Sequence, residues 1–432
     1  MNTPLQQEDP QTYDLIQGEK KRQKEGLEMI PSENYVSPAI LEALGSVFTN
    51  KYSEGYPGLR YYGGQEFTDR LESLAIERAK KLFRSDHANV QPLSGSPMNQ
   101  AVYLALLQPG DCIMGMDLSH GGHLTHGHPV SHMGKLFNWV RYKTHPEEQG
   151  RIDFDELLAL AKEHRPKVIL CGYTSYPRDL DYAGFKRVAD EVGAFTMADV
   201  AHIGGLIAAD VMRNPFDYGF DIVTTTTHKT LRGPRGGMIL TKGKVGNPLK
   251  AVELTRENLP TVIDRSVFPG LQGGPHMNTI AAIAVMLQEA MQPEFKEYAQ
   301  QVLKNAKALA AELMAQGAEL VTGGTDNHMM VIDSVASFEL GGAELEKLLD
   351  SVGITTNKSM IPDDPRPPFN PSGVRLGTPA MTTRGVKEDG ARRIAGWIIQ
   401  AVQARTDSVK LAEIRAQVKE FSLAYPVPGI PS

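Results

Sequence analysis

Asp221-Ile222-Val223-Thr224-Thr225-Thr226-Thr227-His228-Lys229-Thr230 is the stretch that decides the fold of this chain of 432 residues. Its β-branched residues predict a buried strand, and a lysine follows where that strand ends. One strand-and-helix unit earlier, the apolar run Phe195-Thr196-Met197-Ala198 ends in Asp199. Because parallel strands place their carboxyl ends along one edge of a sheet, we expect Asp199 and Lys229 to lie at the same edge.

The alternation of strands and helices continues on both sides of this stretch. Predicted strands at residues 167–171, 195–198, 221–225 and 238–240 occur together with predicted helices at 154–164 and 182–192. This pattern is typical of a mostly parallel sheet covered on both faces. After Pro293 it changes to a long helix at 294–315 and then to shorter elements. The sequence therefore predicts an α/β fold with an N-terminal arm or helical segment at 1–53, a large domain at 54–290 and a smaller α+β domain at 291–432.

A motif of serines and glycine, Leu93-Ser94-Gly95-Ser96-Pro97, precedes a predicted helix at 98–107. Pro97 suits the first position of that helix and Ser96 suits its N-cap. Two hydroxyls, a glycine and the free N–H groups of a helix start can hold a phosphate group without a cationic side chain. An ordinary capped helix is the alternative interpretation of this fragment alone.

The phosphate cradle is more informative when it is combined with the predicted sheet edge. A lysine at a strand end can form a Schiff base, and an aspartate there can keep a pyridine nitrogen protonated. A lone lysine in this position would instead be a solvated charge. Together, the cradle, Asp199 and Lys229 meet the requirements of one cofactor, pyridoxal 5′-phosphate, which we expect to be bound covalently to Lys229.

Histidines are concentrated in one short segment, which on its face suggests a metal site. The segment contains His120, His123, His126, His128 and His132. Glycines at 121, 122 and 127 interrupt any helix that would align the imidazoles, and no Cys or Glu lies nearby to complete a ligand set. We therefore expect no metal, and an imidazole stacked on the cofactor ring instead. A structural role for each histidine, and a zinc hydrolase built on the cluster, are the alternatives.

The composition limits the partners of the protein. Lys and Arg number 45 against 51 Asp and Glu, a formal net charge of −6, so the surface lacks the basic excess that nucleic-acid binding requires. We find no apolar stretch near the ~18 residues that a membrane span needs, and residues 1–8 show no signal-peptide pattern. Only Cys112 and Cys171 occur, which is typical of a reducing compartment. We expect a cytoplasmic protein that acts on small molecules.

Motifs across nearly the whole chain occur in an order that resembles the serine hydroxymethyltransferase family. The shared motifs are Ser32-Glu33-Asn34-Tyr35, residues 49–58, Arg60-Tyr61-Tyr62-Gly63-Gly64, residues 120–127, 224–229, 233–237, 268–275, 323–328 and 373–379. The resemblance implies a fold-type I pyridoxal-phosphate transferase, similar to aspartate aminotransferase. It also implies reversible transfer of the serine hydroxymethyl group to tetrahydrofolate as cosubstrate.

The resemblance also implies roles for individual residues in holding the cofactor. Lys229 would carry it, Asp199 would face the ring nitrogen, His123 would stack on the ring, and the remaining cofactor-binding residues would be His202, Thr174, Thr226, Ser94, Gly95 and Ser96. Three further residues, Tyr52, Gly273 and Gly274, would complete the phosphate site across a subunit boundary. The resemblance therefore implies a homodimer or a tetramer.

Substrate and catalytic residues follow from the same resemblance. Arg375, helped by Ser32, would bind the substrate carboxylate through its planar guanidinium. Glu54 would be the carboxylate that transfers protons, and Tyr62 would lie near the reacting carbon. His228 would also belong to the catalytic residues. The folate-binding residues would be Glu54, Leu118, Gly122, Leu124 and Asn357.

Departures from the family pattern leave related reactions open. Pro97-Met98 and Thr174-Ser175 differ from the usual residues near the cofactor, although Thr174 keeps a hydroxyl. The near alternatives are α-methylserine hydroxymethyltransferase and threonine or allo-threonine aldolase. A catalytically silent binding protein is a further rival, and four intact residues argue against it: Lys229, Asp199, Arg375 and Glu54.

Overall fold

A computed structural model describes residues 4–145 and 149–430 of the chain. Its α-helices are Leu5–Glu8 (α1), Pro10–Glu25 (α2), Pro38–Leu44 (α3), Glu66–Phe83 (α4), Gly95–Leu106 (α5), His132–Leu136 (α6), Phe154–His164 (α7), Tyr182–Val192 (α8), Gly204–Ala208 (α9), Leu259–Arg265 (α10), Met277–Ala290 (α11), Pro293–Ala315 (α12), Ser334–Phe338 (α13), Gly342–Ser351 (α14), Pro379–Thr383 (α15), Glu388–Gln403 (α16) and Ser408–Ala424 (α17). Its strands are Leu27–Glu28 (β1), Gly55–Tyr56 (β2), Leu59–Arg60 (β3), His87–Asn89 (β4), Cys112–Met116 (β5), Asn138–Tyr142 (β6), Val168–Gly172 (β7), Phe195–Asp199 (β8), Ile222–Thr226 (β9), Gly237–Thr241 (β10), Met329–Asp333 (β11), Ile354–Thr355 (β12), Asn357–Ser359 (β13) and Gly373–Gly377 (β14).

A central sheet of seven strands has the order β4-β10-β9-β8-β7-β5-β6. The pairs from β9 through β8, β7 and β5 to β6 are parallel, which confirms the predicted mostly parallel sheet. In contrast, β10 runs antiparallel to both β9 and β4. The connection from β9 to β10 contains no helix, and a parallel return would need a longer crossover.

The predicted helices at 154–164 and 182–192 are confirmed, and they match α7 and α8. The predicted start of α5 is wrong. Its N-cap is Ser94 and not Ser96, which places Pro97 at the third helical position and not the first. Proline is tolerated there because the first N–H groups of a helix have no intrahelical partner.

The C-terminal part of the chain has its own antiparallel sheet, with the order β11-β14-β13. Its apolar residues form a second core that also includes Leu27 and Met29 from the N-terminal segment. Strand β1 pairs in parallel with β12, so the N-terminal segment is attached to the C-terminal part. The first half of α12 packs in the core of the large sheet and its second half in this second core. The domain boundaries at residues 54 and 291 stay a prediction.

The segment from Tyr52 to Tyr62 is an ordered arm built around the short hairpin of β2 and β3. Arg60 holds it: one nitrogen donates to the carbonyl oxygens of Ser53 and Gly55, at 2.8 Å each. No helix among residues 4–145 and 149–430 is long and apolar enough to cross a membrane.

Candidate active site

The carboxylate of Asp199 lies at the end of β8 and is buried. Its Oδ2 accepts hydrogen bonds from Asn99 Nδ2 at 2.8 Å and from His126 Nε2 at 3.0 Å, and its Oδ1 accepts from the N–H of Ala201 at 3.1 Å. Burial alone would raise the pKa of Asp199, but the hydrogen bond and the charge of His126 outweigh it and lower the pKa below its usual range. The group therefore supplies a fixed negative charge at this edge of the sheet.

Lys229 lies beyond the end of β9, the neighbour of β8 in the sheet. Burial, together with the charges of Arg375 and Arg235, lowers its pKa to about 8, although the charge of Asp199 acts in the opposite direction. An amine with this pKa loses its proton far more readily than an exposed lysine. Lys229 is therefore suited to act as a nucleophile.

The helix start that carries the predicted phosphate cradle reaches the same edge. A Cβ atom placed on Gly95 would lie 2.9 Å from Cγ2 of Thr226, the last residue of β9. The side chain of Ser94 does not cap the helix, so its hydroxyl is available to a ligand. Met98 is buried behind the cradle, where its Sδ atom lies 3.0 Å from the position of a Cβ on Gly237.

Four imidazoles near Lys229 are held in the neutral state. Burial lowers the pKa of His123 to about 4, and burial together with the charge of Arg235 lowers that of His228 to about 3. His202 is buried and stacks on His328 with 5.5 Å between ring centroids and 24° between ring planes. Burial lowers the pKa of His202 well below its usual range and that of His328 to about 3. The set therefore offers uncharged hydrogen-bonding groups near the amine.

The histidines of the 120–132 segment have separate partners. His120 Nδ1 lies 3.0 Å from Thr144 Oγ1, and His126 points to Asp199. Among the residues that the structure describes, no group of three or more His, Cys, Asp or Glu side chains is arranged to hold a metal ion.

Arg375 is buried on β14, and burial lowers its pKa to about 10, so it stays charged at neutral pH. Its Nε and Nη2 each donate to Asn357 Oδ1 at 3.2 Å, and its Nη1 donates to the carbonyl of Thr174. The turn that contains Ser32 lies at the end of the same strand, since a Cβ on Gly377 would lie 2.5 Å from Cα of the adjacent Pro31. The structure therefore brings Arg375, Asn357, Thr174 and the Ser32 turn together.

The loop that carries the predicted folate residues joins this group. The carbonyl of Gly121 accepts from the N–H of Thr174 at 2.7 Å, and the N–H of Gly122 donates to the carbonyl of Asp117 at 2.8 Å. Leu118 is half-buried and Leu124 is exposed, so both side chains are accessible to a ligand.

Five predicted residues form a second cluster, here named the arm cluster: Tyr52, Glu54, Tyr62, Gly273 and Gly274. The rings of Tyr52 and Tyr62 lie 5.0 Å apart. A Cβ on Gly274 would lie 3.3 Å from the Tyr52 ring, and one on Gly273 would lie 3.4 Å from Glu54 Oε1. The charges of Glu54 and Tyr62 raise the pKa of Tyr52.

The arm cluster adjoins the segment before the phosphate cradle, where the N–H of Leu93 donates to Oε1 of Gln272 at 3.0 Å. Tyr52 and Tyr62 are exposed. Within the described part of the chain, no hydrogen bond, ion pair or ring contact joins the arm cluster to Lys229, Asp199 or His123. The predicted site residues therefore lie in two clusters.

Three residues of the site were not assigned roles from the sequence. His126 and Asn99 both donate hydrogen bonds to Asp199, and His328 Nε2 lies 3.3 Å from His202 Nδ1. His126 and His328 lie inside motifs that resemble the family, which is a signal that could have identified them. Asn99 carries no such signal, because it lies within a helix and reaches Asp199 only in the folded chain.

Comparison with known proteins agrees with this geometry. The family model described as serine hydroxymethyltransferase matches residues 5–398. The chain is 52% identical to "Serine hydroxymethyltransferase" of Koribacter versatilis, over 99% of this chain and 96% of that protein. It is 51% identical to the proteins of the same name from Xanthomonas campestris pv. campestris, over 98% of both chains, and from Acidothermus cellulolyticus, over 98% of this chain and 96% of that protein. This chain belongs to the serine hydroxymethyltransferase family.

Proposed function

We propose that the edge of the central sheet is the active site, with Lys229, Asp199 and Arg375 at its centre. As a member of its family, the chain is a pyridoxal-phosphate-dependent transferase, which transfers the serine hydroxymethyl group reversibly to tetrahydrofolate and yields glycine and 5,10-methylenetetrahydrofolate. One observation supports the assignment best: an ionised buried carboxylate, an amine with a lowered pKa and an uncapped helix start converge at one sheet edge.

The residues at this edge fit the cofactor. The N–H groups of the α5 start, with the hydroxyls of Ser94 and Ser96, would hold its phosphate, and Asp199 would pair with its ring nitrogen. His123 would cover the ring, while Thr174, His202 and Thr226 would line its edge. Once its nitrogen is protonated, the bound cofactor supplies an electron-withdrawing ring that loosens bonds at the α-carbon of the substrate.

The protein's own groups then bind and orient the substrate. We assign the substrate carboxylate to Arg375, which remains charged although it is buried, and to the hydroxyl of Ser32. The amine of Lys229 gives way to the substrate amine, and the neutral imidazole of His228 lies within reach of the charge on Lys229. Tetrahydrofolate would lie against Leu118, Gly122, Leu124 and Asn357.

The arm cluster supports a homodimer in which the site is shared. Glu54 and Tyr62 are needed for proton transfer near the reacting carbon, and Tyr52, Gly273 and Gly274 for the phosphate. The exposed rings of Tyr52 and Tyr62, and the lack of a contact from the arm cluster to Lys229 among the described residues, are explained if each arm cluster completes the site of a second copy. A homodimer is the smallest assembly that meets this requirement, and a tetramer of two such dimers meets it as well.

Serine with tetrahydrofolate is the proposed preferred substrate pair. Arg375, Ser32, Glu54 and the folate residues are all present, and Met98 packs behind the cradle and not in front of it. Cleavage of allo-threonine and transfer from α-methylserine should be slower side reactions. The experiment is a comparison of kcat/KM for serine, allo-threonine and α-methylserine on one preparation. A higher value for either of the latter two would overturn the preference and keep the cofactor assignment.

We also propose a cytoplasmic location. The two cysteines are both free, and Cys171 is buried in the core, where burial raises its pKa well above the usual value. Fractionation of cells that produce the protein tests this location.

A further inference from the structure

The side-chain amide of Asn34 connects the catalytic lysine loop to the segment that carries Ser32. Its Nδ2 donates to the carbonyl oxygen of Lys229 at 3.0 Å and to Tyr298 Oη at 2.9 Å. Its Oδ1 accepts from Thr383 Oγ1 at 2.7 Å and from the N–H of Tyr35 at 2.9 Å. Two donors and two acceptor positions are all that an amide has, so every one is used.

The segment that holds Asn34 also packs against the strand that carries Arg375, the residue assigned to the substrate carboxylate. Pro31 packs against Gly377 at the end of the strand that carries Arg375, and the N–H of Gly377 donates to the carbonyl of Met29 at 2.7 Å. Ser32 follows Pro31 directly, and Asn34 is two residues further on. One short turn therefore packs at its start against the end of the strand that carries Arg375, and at its end donates a hydrogen bond to the backbone of Lys229.

Other contacts hold the Lys229 loop from the sheet side. Thr230 Oγ1 donates to the carbonyl of His202 at 3.0 Å, and it accepts from the N–H of Gly205 at 2.9 Å. The carbonyl of Lys229 also accepts from the N–H of Arg232 within the same loop. Among these contacts, Asn34 is the one that comes from the substrate side.

We infer that Asn34 is a positioning residue that couples binding of the substrate carboxylate to displacement of the Lys229 amine from the cofactor. The inference rests on the proposed function. In the exchange, a bond forms between the substrate nitrogen and the cofactor carbon while the bond to Lys229 Nζ breaks. With the imine nitrogen protonated before and after the exchange, the substrate ammonium gives up two protons and both end on Lys229 Nζ, which leaves as an ammonium, so no oxidant or reductant is needed.

The test compares two amines on the enzyme loaded with pyridoxal phosphate. Glycine has a carboxylate and methylamine lacks one, and each changes the visible absorbance of the cofactor when it replaces Lys229. Asn34→Asp keeps the size of the side chain but removes both donated hydrogen bonds, and Asn34→Ala removes the whole amide. The matched control is Thr383→Val, which removes one contact to Asn34 Oδ1 and leaves both Nδ2 contacts in place.

In both Asn34 variants we expect the exchange rate with glycine to fall about tenfold, the size expected for one lost buried hydrogen bond. The rate with methylamine should stay within about twofold, because methylamine has no carboxylate to couple. Both rates in Thr383→Val should also stay within about twofold, because the Nδ2 contacts of Asn34 remain there. An equal loss for both amines would mean a merely structural role and would overturn the inference. Unchanged rates would overturn it too. If Asn34→Ala does not fold, the isosteric Asn34→Asp alone decides.

The same preparation separates this inference from the proposed function. Amine exchange needs only the cofactor and Lys229, whereas the proposed function also requires turnover of serine with tetrahydrofolate. Absence of that turnover in the unmodified enzyme would refute the proposed function, whatever the ratio of glycine to methylamine rates shows for Asn34.

Discussion

Arg60 and Glu72 form an ion pair inside the protein, with 2.5 Å between Nη2 and Oε2 and exposed side-chain fractions of 3% and 1%. Gln91 extends the pair, because its Nε2 donates to Glu72 Oε1 at 2.7 Å and to the carbonyl of Gly55 at 2.9 Å. With the contacts from Arg60 to Ser53 and Gly55, this network fixes the backbone on both sides of Glu54.

The first prediction concerns this network. Arg60→Met leaves the buried Glu72 carboxylate without its cation, so we expect a loss of about 3 kcal/mol or more in the free energy of unfolding. Turnover should fall as well, since Glu54 loses its support. The control is Lys244→Met, which breaks the exposed pair with Glu257 and should change stability by less than about 1 kcal/mol. Urea denaturation measures both, and equal effects would contradict the assignment.

The second prediction uses the lowered pKa of Lys229. Only the deprotonated amine attacks an aldehyde, so attachment of pyridoxal phosphate to protein freed of cofactor should accelerate as the pH rises and level off above about 8. The rate is followed by visible absorbance. Borohydride reduction and peptide mapping should then find the label on Lys229. A rate that still rises steeply near pH 10, the range of an exposed lysine, would refute the lowered pKa.

A third prediction concerns Glu28, whose buried carboxylate lies close to Glu33. Burial, and then the charge of Glu33, raise the pKa of Glu28 above the usual range. At pH values between the usual pKa of a glutamate and the raised pKa of Glu28, the native protein keeps a proton on Glu28 that the unfolded chain has lost. The free energy of unfolding therefore falls as the pH rises through this interval. Glu28→Gln should therefore raise the melting temperature more at about pH 8 than at about pH 5. An equal gain at both values would contradict this, and the exposed Glu42→Gln serves as the control.

Local sequence pattern predicted much of this fold. The helices α7 and α8 have a clear apolar period, and the strands that precede Asp199 and Lys229 are short apolar or β-branched runs. Parallel strands place their carboxyl ends at one edge of a sheet. The sequence alone therefore indicated that Asp199 and Lys229 lie at the same edge.

What the sequence did not predict depends on contacts between distant segments. The antiparallel direction of β10 goes with a connection that contains no helix, and the helix that begins after Ser94 packs its first residue, Gly95, against Thr226. Likewise, Asn99 and His126 reach Asp199 from two segments that are far from it in the sequence. No local sequence pattern predicts these contacts with Asp199.

The fourth prediction addresses Glu54 directly. Glu54→Gln keeps the size of the side chain and removes its capacity to transfer protons. We expect the cofactor spectrum and glycine binding to be retained, while turnover with tetrahydrofolate falls about 100-fold or more, the usual contribution of a general acid or base. Glu66→Gln, at the start of the neighbouring helix α4, is the control and should keep normal turnover. Turnover near that of the unmodified enzyme in Glu54→Gln would remove this residue from the catalytic set.

The last prediction tests whether the arm cluster serves a second copy. Lys229→Ala and Tyr52→Ala proteins should each be inactive. When their subunits are mixed and allowed to exchange, half of the dimers contain both chains, and one of the two sites in each such dimer has an intact Lys229 and an intact Tyr52 from the other chain. About one quarter of the unmodified activity should therefore return. A mixture of Lys229→Ala with Asp199→Ala should stay inactive, because these two residues belong to one cluster of one chain. If the first mixture also stays inactive although light scattering and labelled subunits show exchange, the arm cluster serves its own chain and the shared site is refuted.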